Sequence, residues 1–208
     1  MDGESWTEFR LRAFGEPYLV WHDGPDFTAF QDAWTVDPIS ADRMLREGLA
    51  TGDPLAAEAV GFLRLSPSQS EAYARILRDA LQGAHGAFVI RCADTLRKLT
   101  GDSSWAHEVV KVLLGVDHWG VRIDAAILLS RFSPNVELIA AAMRGVQDAE
   151  YLVRYHSANT LLGWADRPHE ISEDAELFPL LVAEDSPEKW SIVASGLAGA
   201  ASARLAAG

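Results

Sequence analysis

Two stretches of this chain decide its fold: GVDHWGVRIDAAILL at 115–129 and VQDAEYLVRYHSANTLL at 146–162. Laid over one another they match Asp117 with Asp148, Val121 with Val153, Arg122 with Arg154 and the small residues Ala125 and Ala126 with Ala158. Each is a short polar turn followed by a helix-length segment. In the first, Val121, Ala125, Leu128 and Phe132 fall on one side and Asp124 and Arg131 on another, the stripe of an amphipathic helix. Working outward, the same pattern returns in GAHGAFVIRCADTL at 83, TGDPLAAEAVGFL at 51 and AEDSPEKWSIVASGL at 183. The anchors Asp53, His85, Asp117, Asp148 and Asp185 are separated by 32, 32, 31 and 37 residues.

Before each anchor lies another apolar segment of helical spacing, as in Ala74, Leu77 and Leu81, or Val109, Val112 and Leu113. Each period therefore predicts a hairpin of a first and a second helix, with the anchor suited to cap the second. A hairpin of about 32 residues cannot bury its own apolar faces, so neighbours must stack. The expected fold is all-α: an α-solenoid of about five hairpins over residues 38–208, forming one structural unit, preceded by a capping segment at 1–37. Strand-like alternation is confined to Tyr18–Trp21.

The turns resemble HEAT repeats, in particular the short HEAT-like type of phycobilin lyase subunits, in which Asp is followed by Val-Arg and then small residues. Asp117 with Val121-Arg122 and Asp148 with Val153-Arg154 carry the likeness, and His85 with Ile90-Arg91 carries it more loosely. Glu58 and Trp190 stand where the first and last units should have the Arg, so the resemblance covers residues 70–163. It implies a structural ladder of Arg91, Arg122 and Arg154 with Asp117 and Asp148, tying each turn to the next.

Two regions break the register. WADRPHEISED, 164–174, lengthens the last interval and reads as a loop inserted between units four and five. Residues 1–37 hold eight of the nineteen aromatics: Trp6, Phe9, Phe14, Tyr18, Trp21, Phe27, Phe30 and Trp34. That density reads as a cap over the first hairpin, with an aromatic recognition patch as the sharper alternative. At the other end, Trp190–Ala203 is uncharged and includes Gly196 and Gly199. It reads either as a helix through which two copies pair or as a buried cap.

Charge narrows the function. Eighteen Lys and Arg against thirty Asp and Glu give a formal −12, with both ends acidic and a modest basic cluster of Arg75, Arg78, Arg91, Arg97 and Lys98 in the middle. That sign disfavours a nucleic-acid surface and favours a basic protein as partner. Cys92 is alone, so no internal disulfide forms. The longest uncharged stretch is shorter than the ~20 residues that span a bilayer, and the N-terminus lacks a signal-peptide core. The expectation is a cytoplasmic protein that needs no membrane.

The residues carry no catalytic signature. The histidines 22, 85, 107, 118, 156 and 169 are scattered, without the i, i+4 spacing of a metal site. HEAT-type di-iron hydroxylases place His-Glu after the repeat Arg, whereas here Arg154 is followed by Tyr155-His156-Ser157. No metal, cofactor or catalytic residue is expected. The leading reading is a non-enzymatic protein-binding module (adapter, assembly factor or immunity-like protein) using the second-helix face of Asp94, Trp119, Asp124, Arg131, Tyr155, His156 and Asn159. The alternatives are a lyase-like or chaperone-like subunit holding a prosthetic group, as the resembling repeats do, and a glycosylase-like solenoid.

Overall fold

Proline and short polar side chains start many of the helices. Pro38, Pro54, Pro67 and Pro187 each open one, where a missing amide costs no hydrogen bond. Ser5 and Ser66 close capping boxes with Glu8 and Gln69. The computed structural model describes residues 3–15, 24–167 and 169–208. All its regular structure among these is helical: α1 (Trp6–Phe14), α2 (Thr28–Val36), α3 (Pro38–Ala50), α4 (Pro54–Val60), α5 (Pro67–Ala80), α6 (Ala87–Thr100), α7 (Ala106–Gly115), α8 (Trp119–Leu129), α9 (Val136–Gly145), α10 (Tyr151–Trp164), α11 (Phe178–Leu181) and α12 (Pro187–Ala207), with short 3-10 turns at Ser103–Trp105 and Ile171–Glu173. The strand candidate at 18–21 lies outside the described residues.

The chain divides into two compact units, Met1–Asp102 and Ser103–Gly208. The boundary falls after Asp102 rather than after residue 37, because the N-terminal aromatics are part of the first unit's core. Trp6, Phe9 and Phe30 are buried, with ring centroids 5.3–6.1 Å apart, and α1 and α2 pack on α3. Trp6 Nε1 donates to Asp53 at 2.9 Å, which also pairs with Arg10 and caps α4 by accepting from Leu55 N. Trp6, Phe9, Phe27, Phe30 and Trp34 are buried, and the Phe14 ring packs against those of Trp6, Phe9 and Phe27. Tyr18 and Trp21 lie outside the described residues.

Each unit pairs its helices in the same way. In the first, α3 packs on α4 and α5 on α6, with first helix against first and second against second. In the second, α7/α8 and α9/α10 repeat the arrangement, and α12 covers α9 and α10. The anchors fall in the turns between paired helices, but only Asp53 caps in the expected way. α8 begins after His118 and α10 after Glu150, neither N-cap side chain making a cap bond; the Asp148 carboxylate accepts from the Glu150 amide just before α10 as well as from Arg122. The last hairpin is irregular too. Its first helix, α11, has four residues, because the insertion occupies the preceding chain.

α12 turns Trp190, Val193, Ala194, Leu197, Ala198 and Ala201 inward and leaves Ile192 58 % exposed. One face is thus the buried cap. Gly196 and Gly199 sit in open space, so no neighbouring helix among the described residues approaches them closely.

Candidate functional site

The repeat arginines organise the second unit. Arg122 Nη1 donates to the carbonyls of Val116 and Asp117 in its own turn, and Nε and Nη2 grip the Asp148 carboxylate at 2.8 and 2.9 Å. This bidentate pair raises the Arg122 pKa through its hydrogen bond to Asp148. Thirty-two residues on, Arg154 Nη1 donates to the corresponding carbonyls of Asp148 and Ala149, both at 2.8 Å. Its forward reach meets a carbonyl and a ring in place of a carboxylate. Arg154 is 4 % exposed, its Nε donates to Leu181 O at 3.1 Å, and its guanidinium lies 4.0 Å from the Trp190 ring centroid. Trp190, standing where a repeat Arg is expected, donates Nε1 to its own turn at Ala183 O.

Arg91 in the first unit reaches backward, pairing with Glu58 at 3.3 Å. Asp148 is a rung, whereas Asp117 contributes its carbonyl. Buried threonines add to the ties between second helices: Thr95 donates to Ala57 O and Thr160 to Ala126 O.

With this frame fixed, the proposed surface residues separate. Asp94 is 3 % exposed, its carboxylate held by Arg97 at 2.8 Å and Lys98 at 3.1 Å, so it offers no open contact surface. It also belongs to the first unit, apart from the other six. Trp119 opens α8 at 44 % exposure, stacked beside His118 with centroids 6.2 Å apart. Asp124 is half-buried on α8, and Arg131 is exposed just beyond it.

The structure brings Tyr155, His156 and Asn159 together on α10 beneath the inserted segment. Tyr155 donates its hydroxyl to Glu170 at 2.6 Å, and Asn159 Oδ1 accepts from Ile171 N at 2.7 Å. The Ile171 side chain is fully buried. His156 stands edge-on to Tyr155 and is half-buried; desolvation lowers its pKa, opposed by the Glu170 charge.

Sequence reasoning missed Glu170 and Ile171. The available signal was the lengthened last interval and a single branched aliphatic, Ile171, in an otherwise polar insert. It also missed Ile127, Tyr151 and Leu152, which remain 39 %, 38 % and 43 % exposed on α8 and α10. Among the described residues no group of three His, Cys, Asp or Glu side chains is placed to hold a metal ion. Nor, among them, is any helix long and apolar enough to cross a membrane. Cys92 is buried, which pushes its thiol up to about 12.

Compared with known proteins, the chain matches no family model, no curated protein and no solved structure.

Proposed function

We propose that this chain is a HEAT-like helical-repeat protein, each unit a short stack of hairpins, that binds another protein on the outward faces of α8 and α10. One observation carries the reading. Trp119 and Tyr151, thirty-two residues apart at the starts of neighbouring second helices, are both in solvent, as are Ile127 and Leu152 on the same two helices. Fully burying a side chain of this size is worth about 1.5–3 kcal/mol, and at these four positions, 38–44 % exposed, a sizeable part of that gain is left unused. Exposed apolar groups gathered on a rigid element are the usual material of interfaces, with aromatics as their anchors. The equivalent roles of Arg122 and Arg154 support the repeat identity.

The partner is a basic protein. A net charge of −12 steers cations toward the chain and disfavours anionic surfaces, and Asp117, Asp148 and Glu150 border the two helix starts. This suits an adapter, assembly factor or immunity-like protein of the cytoplasm.

The test is site-specific photocrosslinking in native extract, with the crosslinker at position 127 or 152 of the full chain. A basic protein captured in stoichiometric yield, competed by unlabelled chain and lost in Trp119→Ala at unchanged melting temperature, is the expected result. Capture that is indifferent to Trp119→Ala, or only from positions remote from these helices, rejects the proposal. Asn159 is unsuitable as a surface probe, because its side chain holds the Ile171 amide.

A further inference from the structure

The insertion does more than lengthen a connection. Residues 169–174 lie on α10, held by Tyr155 and Asn159, one turn apart on its outward side, while one repeat earlier Ile127, the counterpart of Asn159, is 39 % exposed. A face that is open on α8 is covered on α10.

We propose that residues 169–174 are a releasable strap over the outward face of α10, lifting while the helices stay folded and so uncovering Tyr155, His156 and Asn159 beside the exposed side chains of the surface proposed above. The gating role rests on that binding proposal; the lifting does not.

Three features carry the inference. Among the described residues the attachments to α10 are few and peripheral: one buried side chain, Ile171, the Asn159 bond to its amide, and solvent-exposed contacts of the Tyr155 hydroxyl with Glu170 and, at 3.4 Å, with the Ser172 hydroxyl. The strap is a small body in its own right, since Glu173 N donates to Glu170 O and Asp174 N to Ile171 O. Its C-terminal end is a fixed pivot. The Asp174 carboxylate accepts from Glu176 N and Leu177 N, and its carbonyl accepts from Phe178 N. A segment with one apolar anchor opens at far lower cost than the helices beneath it, whose Leu161 and Leu162 are buried. If a partner needs the open form, its apparent affinity falls in proportion to the open fraction.

Hydrogen exchange on the full chain tests the lifting without any partner. The Ile171 amide, the strap amide bonded to α10, should exchange at least about 100-fold faster than those of Leu161 and Leu162. Asn159→Ala should accelerate the Ile171 amide about a further tenfold, one hydrogen bond's worth, and leave α10 unchanged. The same variant should raise the reactivity of His156 toward diethyl pyrocarbonate and the fluorescence of 1-anilinonaphthalene-8-sulfonate at the vacated Ile171 niche. Tyr155→Phe, the milder change, gives the same pattern if the alanine variant does not fold. Strap and α10 amides exchanging at one rate with one urea dependence, or both accelerated together in the variants, overturns the proposal.

Gating is read separately, by crosslinking from position 156, beside the strap. Yield that stays constant when exchange shows the strap freed overturns the gate. Failure of the wild-type crosslink strikes the binding proposal and leaves the exchange result standing.

Discussion

Replacing Arg154 with alanine removes the donor that joins three pieces of the second unit: the turn before α10, the end of α11 and the start of α12. The side chain makes hydrogen bonds to Asp148 O, Ala149 O and Leu181 O and covers the Trp190 ring at 4.0 Å. Bonds to a charged group are worth about 1.5–3 kcal/mol each, but they share one guanidinium and part of the loss is offset by water reaching the vacated carbonyls. The cation–π contact adds up to about 2 kcal/mol in a desolvated setting. A net loss of about 4 kcal/mol follows, the scale of breaking a buried charged cluster. In a unit of this size it lowers the melting temperature by upward of about 15 °C. Arg154→Lys keeps the charge but cannot aim donors at Leu181 and at the turn together, so about half the loss remains. Urea unfolding followed by circular dichroism, with amide exchange assigning the transition to α10 and α12, measures both. A loss below about 1 kcal/mol in the alanine variant, or a lysine variant as stable as wild type, refutes the reasoning.

Gly48→Ala should destabilise the first unit by about 1–3 kcal/mol in chemical denaturation, because an added Cβ would come within 2.7 Å of both the Trp6 ring and Ala56 Cβ. Ser157→Ala should be neutral or stabilising by up to about 1 kcal/mol, since the buried Ser157 hydroxyl has no hydrogen-bond partner among the described residues; a clear loss of stability would show that this hydroxyl is satisfied in solution. His156 makes stability pH-dependent. Burial lowers its pKa from the ordinary value near 6.5, so the folded state binds this proton more weakly than the unfolded chain does. Its contribution is complete above about pH 6.5 and is lost as pH falls through the folded value. The melting temperature should therefore decline between pH 7 and pH 5.5, and His156→Gln should flatten that part of the profile.

The repeat was legible because it has a backbone reason. Arg122 and Arg154 recur at the interval of the hairpins, and both clamp the two carbonyls of the turn that precedes them. Helix content and the buried stripes followed from spacing alone. Long-range satisfaction of polar groups was not legible in the same way. Asp94 reads as an outward charge, yet it is buried because Arg97 and Lys98, three and four residues on, neutralise it. Asp148 reads as a cap alone, yet while its carboxylate accepts from the Glu150 amide it also receives Arg122 from twenty-six residues earlier. Tyr155 and Asn159 look available on a helical wheel, which contains no information about a loop returning fifteen residues later. That residues 1–37 form no separate body was hidden for a related reason: the aromatics of α1 and α2 form part of the core with α3, a contact no period announces.

The second unit's arginines hand on in one direction, each meeting an acceptor supplied by the following turn, until Trp190 receives the last. An indole face takes a cation but extends none, so the series closes by a change of chemistry and needs no separate lid there. An extra hairpin copied from residues 117–148 would therefore be tolerated directly after residue 148, before α10, where the order of helices is kept and each Arg122 meets the Asp148 of the turn that follows it. Appended after α12, it would face an indole at the position from which a guanidinium would have to reach it.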